Sequence, residues 1–192
     1  MISPRGFLGL VIARWEGEWQ DDPADQGNWV KGRLIGTMRG VTPAAWAAYR
    51  GMDPEAVTVE QMKAITLEDA ADIGMKFYYE GPRFDLLAWG PATAAVVDFG
   101  WGSGPGQAVK SMQRIVGTNP DGGLGPITAK AYNEWIEREG RERATERIRQ
   151  MRRDFYNMIC ERNSTNLKFL RGWLNRSDWA SSQNPQFAGL WA

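Results

Sequence analysis

The chain has 192 residues, 43% of them hydrophobic, and a formal net charge of zero. That length suits one domain or two small ones with a proper core, and the neutral balance argues against a dedicated nucleic-acid binder. There is no histidine and only one cysteine, Cys160, which removes Ser-His-Asp and Cys-His nucleophile pairs, histidine- or cysteine-rich metal sites and any intrachain disulfide.

Ser3-Pro4 predicts a helix start, with serine as the cap and proline in the first turn. Phe7, Leu8, Val11, Ile12 and Trp15 then form one apolar face at helical spacing, and Gly17 is expected to end the helix. The apolar stretch 7–13 is too short to span a membrane and runs straight into Arg14, so it is not read as a signal peptide. Residues 17–42 lack helical periodicity. Within them, segments 28–30 and 33–35 on either side of Lys31-Gly32 predict a short β-hairpin. Thr42-Pro43 opens the next helix, and Thr58 to Gln61 has the form of a capping box. Residues 66–79 read as a helix with Leu67, Ala70, Ala71, Gly74 and Phe77 inward, broken by Gly81-Pro82.

An apolar segment follows at 91–100. The glycine-rich stretch 100–106 lacks the Lys-Ser/Thr of a phosphate-binding loop and reads as a helix-to-helix corner. Next comes a helix with Ala108, Val109, Met112, Ile115 and Val116 inward, then a loop at 119–126 and a helix with Ala131, Trp135 and Ile136 inward. After Gly140, the spacing of Ala144, Ile148, Met151, Phe155 and Met158 predicts a long amphipathic helix whose polar face mixes arginine and glutamate. Cys160 belongs to its core side. Residues 173–192 carry few helical signals. The reading is mainly α with one small β element and a boundary near residue 91. The first half holds an acidic excess and the second a basic one, which suits anionic surfaces, envelope lipids among them, and equally suits two ordinary solvated faces.

The chemistry left without histidine is that of carboxylates, hydroxyls, lysine, arginine and tyrosine, and glycoside hydrolysis is the reaction that most often needs carboxylates alone. No cofactor or metal is expected. Residues 15–27 set Glu16, Glu18, Asp21, Asp22 and Asp25 beside Trp15 and Trp19. Glu16 falls in the last turn of the first helix. There the negative end of the helix dipole and adjoining aromatic rings favour a neutral carboxyl, the form a general acid needs; the same position suits a surface glutamate before a capping glycine. Asp21, Asp22 and Asp25 read either as groups that position water and stabilise positive charge on a sugar, or as turn formers. Trp15, Trp19 and Trp29 suit stacking on pyranose rings, and equally suit a core.

Several segments resemble the glycoside hydrolase family 108 muramidases. Glu16-Gly-Glu-Trp19 and Asp22-Pro-x-Asp25-x-Gly27 resemble that family's Glu-Gly-Gly-Tyr and Asp-Pro-x-Asp-x-Gly signature. Gly36-Thr-Met-Arg-Gly-Val-Thr42 is similar to its Thr-x-Tyr-Gly-Ile-Thr segment, and Asp98-Phe-Gly-Trp-Gly-Ser-Gly-Pro-Gly106 to its Phe-Asp-x-Ala-x-Asn-Ser-Gly-Pro run. Asp121-Gly-Gly-Leu-Gly-Pro-Ile-Thr128 resembles the loop of the predicted peptidoglycan-binding region that follows in the family, and Gly172-Trp-Leu-Asn-Arg176 a segment near its end. Three residues depart: in the first motif Glu18 replaces the second glycine and Trp19 the tyrosine, and Arg39 replaces the tyrosine of the Thr-x-Tyr-Gly segment.

The resemblance implies a lysozyme-like α+β fold with the hairpin near residues 28–36 and a C-terminal helical bundle. It implies a catalytic region at 1–92 and a peptidoglycan-binding region at 93–192 packed on it. Glu16 would be the catalytic acid, with Asp25 and Thr37 following in the active-site order of phage lysozymes. Trp19, Trp29, Asp22 and Arg39 would bind substrate, Arg39 by contact with an anionic peptide stem. The implied reaction is hydrolysis of the β-1,4 bond between N-acetylmuramic acid and N-acetylglucosamine by a monomeric endolysin, held in the host cytoplasm until a holin releases it. Two other readings stay open: a lytic transglycosylase acting on the same bond, and a wall-binding module that has lost catalysis through Glu18 and Arg39.

Overall fold

Helix α1 spans Pro4–Trp15 and begins as the sequence predicts, with the Ser3 hydroxyl accepting from the Gly6 N–H at 3.1 Å and proline in the first turn. Its apolar face, Phe7, Leu8, Val11 and Ile12, is wholly buried. The helix does not run to Gly17. Glu16 has already left the helical region (φ −92°, ψ 131°) while its N–H still bonds to Ile12 O at 3.0 Å. An extended residue is needed there because strand β1 (Trp19–Gln20) starts three residues later.

The computed structural model describes residues 1–192 and divides into two compact units, residues 3–77 and residues 1–2 with 78–192. In the first, β2 (Trp29–Val30) pairs antiparallel with β3 (Arg33–Leu34), and β1 with β4 (Thr37–Met38). The predicted hairpin is therefore present, turning on Lys31 and Gly32, both at positive φ (42° and 79°). A second tight turn, unforeseen, uses Arg39 and Gly40 (φ 53° and 75°) to bring Met38 back against Val41. Two successive positive φ values match the right-handed twist of paired strands. Helices α2 (Pro43–Arg50), α3 (Val59–Lys63) and α4 (Leu67–Gly74) complete the unit, capped by Thr42, Thr58 and Thr66, the last two in full capping boxes. α4 packs on α1. Gly9 faces Ala71 there, and the Arg5 Nε meets Asp72 Oδ1 at 2.6 Å. The helix expected over 66–79 changes to a π-helical stretch, Met75–Glu80, and nothing in its residue types marks the change.

The second unit is helical: α5 (Pro91–Ser103), α6 (Pro105–Val116), α7 (Pro126–Glu139), α8 (Arg141–Arg162), α9 (Leu167–Trp179) and α10 (Pro185–Gly189). α5 packs against α6 and α8, and α8 against α9. Three expectations are corrected. The glycine-rich corner is narrower than 100–106: α5 continues through Ser103 and breaks only at Gly104 (φ +84°). Gly100 serves packing instead, since a Cβ there would sit 3.5 Å from Pro105 Cα and 3.6 Å from Ala108 Cβ. The tail is not irregular, because α9 runs to Trp179 and α10 follows. The buried side of α8 is Ala144, Thr145, Ile148, Arg152, Tyr156 and Cys160, which puts an arginine in the core where the apolar spacing had Met151.

Arg152 is tolerated there because Asp98, also fully buried, accepts from its Nη2 at 2.6 Å and from Arg176 Nη2 at 2.8 Å and Nε at 2.9 Å. Burial alone would raise the Asp98 pKa; the two guanidinium groups outweigh it and hold the carboxyl below the usual carboxylate range. No helix is long and apolar enough to cross a membrane.

Candidate active site

Every residue singled out as catalytic or substrate-binding lies in the first unit, and three of the seven, Trp19, Trp29 and Thr37, lie on the two-stranded ladders that follow α1. Glu16, half-buried, caps the C-terminal end of α1. Three residues on, β1 begins, and its register sets Trp19 opposite Met38 and Gln20 opposite Thr37. The ladder is continued by the Arg39 N–H, which donates to Glu18 O at 2.8 Å. Local chain geometry thus brings Thr37 beside the strand that leaves Glu16.

Thr37 is 7% exposed, and its hydroxyl, buried, has no hydrogen-bond partner in the protein. A buried hydroxyl is almost always bonded, and Thr37 shares this state with the Thr118 hydroxyl elsewhere in the chain. Its strand partner Gln20 organises the acidic loop. Gln20 Nε2 donates to Asp25 Oδ2 at 2.8 Å and to Asn28 Oδ1 at 3.1 Å, while Gln20 Oε1 accepts from Asn28 Nδ2 at 2.7 Å. Asn28 is fully buried, and its carbonyl receives the N–H groups of Ile35 and Gly36. Asp25 is exposed and also caps the turn Gln26–Asn28, accepting from the Gly27 N–H at 2.9 Å. A chain of contacts therefore runs from the Asp25 carboxylate through Gln20 to the strand partner Thr37. Gln20 and Asn28 were missed in the sequence reading; a reciprocal amide pair across an irregular loop has no periodicity to betray it.

The substrate-binding candidates separate. Trp29, 36% exposed, is pinned by its indole N–H to Pro23 O at 3.0 Å and offers an open ring. Trp19 is more enclosed. The Lys63 ammonium lies 4.9 Å from its ring centroid, and the ring edge presses on Gly36 so closely that a Cβ there would fall 2.5 Å from it. Asp22 acts locally, its carboxylate accepting from the Ala24 N–H at 2.8 Å, the turn-forming alternative for this loop. Arg39, held at positive φ, has its Nη2 3.5 Å from Glu18 Oε1. Two of the departures from the family pattern, Glu18 and Arg39, are thus each other's partners, although Glu18 is largely exposed and the pair contributes little.

The sequence profile described as glycosyl hydrolase 108 matches residues 10–104, and one described as a predicted peptidoglycan domain matches residues 107–178. Among solved structures, the chain is similar to that titled "Structure of Brucella abortus SagA", with a TM-score of 0.70 and 27% identity over 93% of this chain and 91% of that one. No curated protein gives a significant match. The two profiles account for nearly all of the chain between the opening turns of α1 and the end of α9, in the order and with the motifs read from the sequence, and the chain belongs to glycosyl hydrolase family 108, with a peptidoglycan domain following its glycosidase region.

Proposed function

We propose that the protein is an N-acetylmuramidase that hydrolyses the β-1,4 bond between N-acetylmuramic acid and N-acetylglucosamine in peptidoglycan. Glu16 donates a proton to the glycosidic oxygen as the bond to the anomeric carbon breaks. Asp25, fixed by Gln20 and Gly27, supplies negative charge to the oxocarbenium-like state. Thr37 holds the water that adds to the anomeric carbon, and that water's proton passes to a carboxylate as the new hydroxyl forms. Trp29 stacks on a sugar ring. The observation that carries this reading is the buried, partnerless Thr37 hydroxyl, on the strand paired with the one that Glu16 leads into. The family membership and the adjoining peptidoglycan domain support the choice of substrate.

The test is turbidity loss of purified cell walls, with mass spectrometry of the products. Wild type is expected to clear the walls and release reducing muramic ends. Glu16→Gln is expected to lose at least about a hundredfold in rate, the low end of what a positioned acid contributes, with its melting temperature close to wild type. Normal clearing by Glu16→Gln removes the assignment of the acid, and 1,6-anhydro ends in place of reducing ends convert the enzyme to a transglycosylase.

A further inference from the structure

The helical unit holds a cleft of about 740 Å³ that this chemistry does not use. Its volume falls within the range of about 300–1,000 Å³ typical of small-ligand sites. The buried Trp135 and half-buried Ile115 give it a small apolar patch, and the rest of its lining is polar or charged, Ser182 and Gln183 included. One wall is fixed by a dense set of bonds. Glu146 Oε1 accepts from the Ser181 hydroxyl at 2.6 Å, the Ser182 N–H at 3.0 Å and the Ser182 hydroxyl at 2.9 Å. Its Oε2 accepts from Arg149 Nε at 2.7 Å, and Arg149 reaches on to Asp178 at 2.8 Å. Burial opposes the charge on Glu146, yet the two serines and Arg149 hold its carboxyl below the usual range. Glu146 and Arg149 are therefore already satisfied.

The charges left over belong to α8. Arg143 and Arg147 are one turn apart and share a stripe, and Glu142 stands on the neighbouring stripe. All three are exposed. Glu142 and Arg147 have no hydrogen bond or ion pair, and Arg143 only bonds Glu139 of the preceding helix, at O (2.8 Å) and loosely at Oε2 (3.9 Å). A small apolar patch ringed by exposed charges of both signs, of which Glu142 and Arg147 have no bond within the protein, selects against two ligand classes. A polyanion meets three glutamates, and a neutral glycan has no use for the guanidinium groups. A short peptide with free carboxylates, a free amine and small aliphatic side chains satisfies every feature.

We propose that this cleft binds the peptide stem of peptidoglycan, its carboxylates on Arg143 and Arg147 and its free amine on Glu142. The choice of ligand rests on the peptidoglycan reading above; Ile115, Trp135 and the α8 residues all fall inside the stretch matched by the peptidoglycan profile. The probe is the sugar-free tetrapeptide L-alanyl-γ-D-glutamyl-diaminopimelyl-D-alanine, titrated calorimetrically into the full chain. Wild type and Glu16→Gln are expected to bind it equally. The Arg143→Ala/Arg147→Ala double variant is expected to bind at least about tenfold more weakly, a loss on the scale of one charge-assisted contact, with an unchanged circular-dichroism melt because both positions are exposed. The peptide with its amines acetylated is expected to bind more weakly to wild type but no more weakly to Glu142→Gln. Equal affinity of double variant and wild type, or no binding to wild type at millimolar peptide, overturns the proposal. Wall clearing measured on the same preparations separates the two readings: clearing without peptide binding removes the cleft assignment alone, and peptide binding without clearing removes the muramidase alone.

Discussion

At the scale of single residues, Thr37 carries one of several buried polar atoms that have no hydrogen-bond partner in the protein. Leaving a buried polar group unbonded costs about 1–3 kcal/mol, and the Thr37 hydroxyl is in that state. Thr37→Val keeps the shape and removes the hydroxyl. It is expected to slow wall clearing by about tenfold or more while the melting temperature holds or rises, because an unsatisfied group is lost. A drop in melting temperature with full clearing would make Thr37 a structural residue instead. Glu16 and Asp25 stand out in the sequence as carboxylates beside aromatic rings, whereas Thr37 is named only through the resemblance to the active-site order of phage lysozymes. The surroundings that give these residues meaning do not stand out there. Gln20 and Asn28 look like ordinary loop residues until the fold joins their amides, and the Glu18–Arg39 pair spans the ends of two strands whose register is visible only in three dimensions.

At the scale of elements, the starts were more legible than the ends. Ser3-Pro4, Thr42-Pro43, Thr58 and Thr66 each open a helix where their capping chemistry says they should. The Lys31-Gly32 turn likewise places the hairpin. Glycine was an uneven guide to the ends: Gly17 directly follows the C-cap of α1, where a terminating glycine belongs, but Gly100 lies inside α5, where it makes room for α6. Gly36 is the converse case, a glycine that the β1–β4 ladder requires. Its φ is +92°, and the Trp19 ring occupies the place of a Cβ. Gly36→Ala is expected to destabilise the protein by about 2 kcal/mol, from left-handed strain together with displacement of the indole. A denaturant midpoint with unchanged m-value measures it, and a blue- or red-shifted tryptophan emission should accompany the loss. A midpoint within error of wild type would mean that the ladder yields more readily than its close contact implies.

At the scale of the whole molecule, what holds the helical unit together was out of reach of any local pattern. Asp98 meets Arg152 across 54 residues and Arg176 across 78. Each looks unremarkable alone, although Asp98 and Arg176 both sit in segments that carry the family resemblance. Together they join α5, α8 and α9. Asp98→Asn removes the negative charge that faces the fully buried Arg152 and the largely buried Arg176, at a cost of about 3–5 kcal/mol near neutral pH. The sign with pH follows from the depressed carboxyl. The stabilisation from Asp98 is complete above the ordinary aspartate range and is lost as pH falls through its lowered folded value, so it fades below about pH 4. Calorimetry is expected to show the gap between wild type and Asp98→Asn narrowing in acid; a gap that stays constant would mean that Asp98 contributes shape and not charge. The buried guanidinium of Arg152 also sets the rotational phase of α8. A helix turns about 100° per residue, so one residue added between Arg147 and Arg152 would leave that anchor seated while swinging Arg143 and Arg147 roughly a quarter of the way round the axis. The length of chain between anchor and rim, as much as the identity of the rim residues, is what points them at the cleft.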